Sequence, residues 1–117
     1  MSSVEVSIEI SMFTQKGQRH RKKYYSGQPH YAIARWFMSR PGIAKLVYGT
    51  TNLGMIITMY KPLQPQFMLT HDILNSELIF QMRNHPWGQE NWVASLYEDQ
   101  DPKAMPIVSV NRTSQQQ

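Results

Sequence analysis

IAKLVYGTTNLGMIITMYK, Ile43–Lys61, decides the fold class. Two β-prone runs, 43–50 and 55–61, flank Thr51-Asn52-Leu53-Gly54. Asn and Gly adopt positive φ at little cost, so the segment predicts a hairpin that turns at 51–54. Pro62 and Pro65 break the chain after it, because proline cannot donate to a strand ladder.

Upstream of the hairpin, residues 30–40 carry Ile33, Trp36, Phe37 and Arg40 at three-and-four spacing, with Arg35 and Ser39 on another face. That spacing predicts a helix of about three turns with one apolar stripe. Ser26 is placed to cap it, Pro29 suits its first turn, and Pro41-Gly42 stops it, since a residue before proline leaves the α region. Nearer the start, Val4, Val6, Ile8, Ile10 and Met12 alternate with Glu5, Ser7, Glu9 and Ser11. Period two makes residues 4–13 a strand with one face on a core and the other wet.

Downstream, residues 66–84 carry two periodicities. Phe67, Leu69, His71 and Ile73 alternate, whereas Asp72, Ile73, Glu77, Leu78 and Met82 suit an amphipathic helix. The reading adopted is a short strand at 66–70 and a helix over 72–83; its rival is a hairpin turning at Asn75-Ser76. His85-Pro86-Trp87-Gly88 predicts a loop, Trp92, Ala94 and Leu96 a strand within 91–98, and 98–102 an acidic turn. Residues 107–110 form a last strand. Residues 111–117 predict a polar disordered tail after a single domain over 1–110. The sum is an α+β fold: a mostly antiparallel sheet of short strands with one or two helices packed on it.

The charge is uneven along the chain. Residues 1–48 hold eight Lys and Arg against two Glu, and residues 49–117 hold four against six carboxylates. Such a division predicts an oriented field rather than a uniformly charged surface. Its focus is KGQRHRKKYY, Lys16–Tyr25, with five of the chain's twelve Lys and Arg, a histidine and two terminal tyrosines. Lacking apolar periodicity, the run reads as a surface loop or charged hairpin end, with Lys22–Tyr25 able to begin a strand that pairs back on the first.

Several function classes are excluded or find no support. The 117 residues contain no cysteine, which removes a disulfide scaffold, a thiol nucleophile and a thiolate zinc site. No glycine-rich phosphate loop, dinucleotide fingerprint or nucleophile elbow is present. The histidines His20, His30, His71 and His85 show no pair at helical ligand spacing, so neither a metal nor a cofactor is expected. No secretory signal and no membrane-length apolar run is visible, and a soluble cytoplasmic protein is expected.

Lys and Arg neutralise phosphates and release counterions, and a tyrosine face stacks on an unpaired base. The sequence therefore predicts a non-enzymatic nucleic-acid-binding protein that favours single-stranded DNA or RNA, with a role in transcription or replication. Lys16, Arg19, Arg21, Lys22 and Lys23 are the expected phosphate contacts and Tyr24 or Tyr25 the stacking platform, since adjacent strand residues point to opposite faces. Arg35, Arg40 and Lys45 extend the track if helix and hairpin lie beside it. A homo-oligomer is expected from short sheet edges that need cover and from the gain of multiple sites on one strand. Two alternatives remain open. One is a small metal-independent ribonuclease using His20, Arg21, Lys23, Tyr24 and His30. The other is an interaction protein that docks on a nucleic-acid enzyme through the acidic turn Glu98-Asp99-Gln100-Asp101.

Overall fold

The computed structural model describes residues 7–13, 19–66, 68 and 70–113, of which 7–13 and 19–21 are described as backbone. Lys16, residues 4–6 of the expected first strand, Phe67 and Leu69 of the expected strand at 66–70, and residues 114–117 of the expected tail lie outside the described residues. In chain order the elements are β1 (Ser7–Phe13), β2 (Arg19–Tyr25), α1 (Tyr31–Met38), β3 (Lys45–Thr50), β4 (Met55–Tyr60), α2 (His71–Asn84), a 3-10 turn (Pro86–Gln89), β5 (Trp92–Tyr97) and β6 (Val108–Arg112).

The predicted hairpin forms as β3 and β4, with Gly54 at φ 67°. It seeds a four-stranded antiparallel sheet in the order β4-β3-β5-β6, beside a separate two-stranded ribbon of β1 and β2. The α+β class is thus as expected. Strand alternation and register put Leu46, Tyr48 and Thr50 on one face with Met59, Trp92, Ala94, Leu96, Val108 and Val110. The same face meets Ile33, Ala34, Trp36 and Phe37 of α1 and Leu74, Leu78 and Met82 of α2 in one buried cluster. Spacing of four between the three α2 residues gives that helix a narrow apolar stripe. It resolves the ambiguity of residues 66–84 in favour of the helix, while Gln66, Met68 and Thr70 belong to no strand.

One open reading is decided and three local expectations are corrected. The basic run is a strand from Arg19 onward that pairs back on the first strand, the hairpin reading rather than the surface loop. Ladder hydrogen bonds use the backbone and are indifferent to side-chain charge, and the apolar alternation of β1 supplies a partner, with Ile8 opposite Tyr24. Helix α1 begins at Tyr31 with His30 as N-cap, so neither Ser26 nor Pro29 occupies the place assigned to it. His30 makes no capping bond because its ring is engaged with Tyr48 and His85. Pro86–Gln89 is helical rather than loop. The last strand runs through Arg112, because Asn111 and Arg112 pair with Val93 and Trp92; a tail beginning at Asn111 is set two residues too early.

The end of α1 explains a buried lysine. Lys61 Nζ donates to the Arg40 carbonyl just beyond the helix and lies 5.1 Å from the Phe37 ring centroid. A cation there meets the negative end of the helix. No helix among the described residues is long and apolar enough to cross a membrane.

Candidate nucleic-acid interface

Strand β2 sorts its side chains by alternation. Tyr24 is 2% exposed and joins the core, whereas Tyr25 is 40% exposed. The backbone N–H of Tyr25 donates to Gln28 Oε1 at 2.7 Å, and Gly27, at φ 93°, turns the chain toward α1. Lys22 and Lys23 are exposed, as is Arg35 on α1. None of the three is in an ion pair among the described residues. Lys23 stands opposite Glu9 in the β1–β2 register, and Arg19 and Arg21 occupy the positions that alternate with it on the same strand face as Tyr25.

Three predicted contacts are not available for phosphate. Tyr24 cannot stack, being enclosed by the core. Arg40 is held by Glu77, with Nη2 2.6 Å from Oε2 and Nε 2.5 Å from Oε1, and the Trp36 indole N–H donates to the same carboxylate at 2.8 Å. Lys45 is 6% exposed. Its Nζ donates to the Asp101 carbonyl at 3.3 Å and sits 4.1 Å from the Tyr97 ring centroid. The acidic turn thus covers Lys45. Asp99 and Asp101 also hold the turn itself, accepting the Asp101 and Lys103 backbone N–H groups at 2.9 Å. Carboxylates used this way favour a structural turn over a docking site.

The structure also brings together a cluster that sequence spacing conceals. His30, Tyr48, His85 and Trp87 meet beneath Tyr24, with ring centroids 4.8–6.2 Å apart. The Trp87 backbone N–H donates to His85 Nδ1 at 3.1 Å. That bond assigns the neutral His85 proton to Nε2, which donates to His30 Nδ1 at 3.3 Å. Tyr48 Oη also bonds His30 Nδ1. A metal between the facing nitrogens needs an unprotonated His85 Nε2 and a proton on Nδ1 that donates outward. The Trp87 amide enforces the opposite tautomer, so the donor set does not fit a metal centre.

Burial pushes His85 down to about 4, with His30 adding to the effect. Burial also lowers His30, with Lys22 contributing. The Tyr24 and Tyr48 hydroxyls are pushed up by burial. Tyr24 Oη has no hydrogen-bond partner among the described residues, which removes it as a proton carrier in the ribonuclease reading. His30, half-buried and near Lys22, remains. Only the His85-Pro86-Trp87-Gly88 string hinted at the cluster, by concentrating two aromatic rings beside a helix breaker.

Comparison with family models, with curated proteins and with solved structures found no match to this chain.

Proposed function

We propose that the protein binds nucleic acid in the cytoplasm, favouring single strands, through the outer surface of β2. The observation that carries the reading is the exposure of Lys23 and Tyr25 on one face of the strand, with Lys22 also exposed on the Tyr24 side, its Nζ 5.6 Å from that ring centroid, and neither lysine in an ion pair among the described residues. Arg35, exposed on the adjoining helix, extends the positive surface. Of the two tyrosines expected as alternatives, Tyr25 is the stacking platform. Self-association would place several such strands along one ligand and raise avidity without new contacts.

The test is a fluorescence-anisotropy titration at several salt concentrations with a single-stranded DNA, its RNA equivalent and the DNA duplex. Each phosphate contact on a single strand contributes about 0.7 to the salt slope, so Lys22→Ala/Lys23→Ala is expected to flatten it by about 1.4. Tyr25→Ala is expected to weaken single-strand binding by about 1–3 kcal/mol and to leave duplex binding nearly unchanged. Failure of all three ligands to bind at low salt would discard the reading.

His30 beside Lys22 supports a second reading, metal-independent ribonuclease action, in which neutral His30 moves a proton and the lysine stabilises phosphate charge. RNA cleavage in chelator, abolished by His30→Ala, is its expected signature. Intact RNA after long incubation with concentrated protein would sink it.

A further inference from the structure

The geometry points to a phosphate-binding pocket at the opposite edge of the sheet, formed where the last turn of α2, the 3-10 turn and the end of β6 meet. We infer that it takes the phosphate of a small organic molecule up to the size of a nucleoside monophosphate. The cavity measures about 520 Å³ and is lined by Ile79, Arg83, Trp92, Asn111, Arg112 and Thr113, among others, with no carboxylate in its lining. A volume of that order suits a drug- or nucleotide-sized ligand and exceeds what inorganic phosphate fills.

Two observations converge on an anion. The first is the charge: Arg83 and Arg112 line one cavity, and no ion pair among the described residues neutralises either. The second is the way Arg112 is held. Its Nη1 donates to the carbonyls of Gln89 and Glu90, the latter at 3.0 Å. These bonds fix the guanidinium plane at the wall and leave its other N–H groups for a ligand. A pre-set planar fork is the geometry that meets phosphate oxygens in pairs. Asn111 and Thr113 add an amide and a hydroxyl to the donor set.

The negative end of α2 opposes an anion here, but it amounts to about half a charge against two full positive charges. Ile79 and the Trp92 ring supply an apolar wall for the organic part of the ligand. The pocket is built from α2, the 3-10 turn, the start of β5 and the end of β6 and uses no residue of β2, so it stands or falls independently of the nucleic-acid reading.

The test is calorimetric titration of the full chain with adenosine monophosphate, ribose 5-phosphate, inorganic phosphate and adenosine, with tryptophan emission followed in parallel. Saturable binding of the phosphate compounds and none of adenosine is expected. A 5′-phosphorylated oligonucleotide against its 5′-hydroxyl counterpart distinguishes a strand end from a free nucleotide as the source of the phosphate. Arg83→Gln, at an exposed position, is expected to weaken binding about tenfold, the usual loss for one charge-assisted hydrogen bond. Lys22→Ala/Lys23→Ala is expected to leave it unchanged. Absence of saturable binding at millimolar phosphate ester, or affinity unchanged in Arg83→Gln, overturns the inference.

Discussion

Gly49→Ala is expected to cost about 2–4 kcal/mol of stability, lowering the unfolding midpoint by on the order of 10 °C. Gly49 pairs with Ile56 on one side and Val93 on the other, at the centre of the sheet. A Cβ there would lie 2.9 Å from Ile56 Cα and closer still to the Met55 carbonyl oxygen. Those are backbone atoms, so no rotamer change relieves the overlap. β3 cannot retreat either, because Tyr48 and Thr50 on both sides of the glycine are buried. Relief therefore requires β4 to move, and β4 carries Met59 into the core. The comparison variant is Gly54→Ala. There the added carbon meets nothing within 4 Å, but φ is 67°, and a left-handed residue with a Cβ costs about 1–2 kcal/mol. Urea unfolding of the two variants should rank Gly49→Ala as the more damaging. The reverse order would show that β4 does not cross Gly49 as closely as described.

The same residues show what a sequence can and cannot reveal. Leu46, Tyr48 and Thr50 alternate, Asn52 and Gly54 mark the turn, and Trp92, Ala94 and Leu96 alternate again, so the central strands were legible from local period alone. Leu78 and Met82 were legible only as one of two patterns, and burial against the sheet selects the helical one, with Leu74 rather than the expected, exposed Ile73 completing the stripe. Strand β2 was legible only as one of two readings, a hairpin strand from Lys22 or a surface loop. Its conformation is imposed by the ladder to β1, a pairing that apolar periodicity within 19–25 does not encode. At the candidate interface, alternation correctly separates Tyr24 from Tyr25. It fails at Lys45, which belongs to the sheet face opposite Leu46 and would be wet but for a turn more than 50 residues later that folds over it. The meeting of His30 with His85 likewise depends on the assembled core, since the two are joined through Tyr48 at the centre of the sheet and Trp87 after α2. Long-range burial, not local propensity, set every one of these misses.

Those buried groups dictate a stability profile centred on the alkaline side. His85 is pushed down to about 4 from an ordinary 6.5, and His30 is lowered as well. Between about pH 6.5 and 4 the unfolded chain therefore binds protons that the folded chain refuses. Stability is full above the unfolded value and falls as pH drops through that window, by about 2–3 kcal/mol for His85 alone. Lys61 acts at the other end. Burial pushes it down to about 8 from 10.5, so from about pH 8 the folded chain sheds a proton that the unfolded chain keeps, and stability rises until the unfolded lysine also titrates. Tyr24 and Tyr48 oppose this above about pH 10, where the unfolded tyrosines ionise and the buried ones do not. The maximum is thus expected between about pH 8 and 10 rather than near neutrality. Urea unfolding at half-unit steps from pH 4.5 to 10.5 measures it directly. His85→Gln should lower stability at pH 7 and flatten the acid limb, whereas Lys61→Met should flatten the alkaline rise and leave the acid limb intact. A wild-type profile that is level from pH 7 to 4.5 would mean that the His30–His85–Tyr48 contacts do not hold both imidazoles neutral. It would also remove the physical basis for treating His30 as a proton carrier beside Lys22.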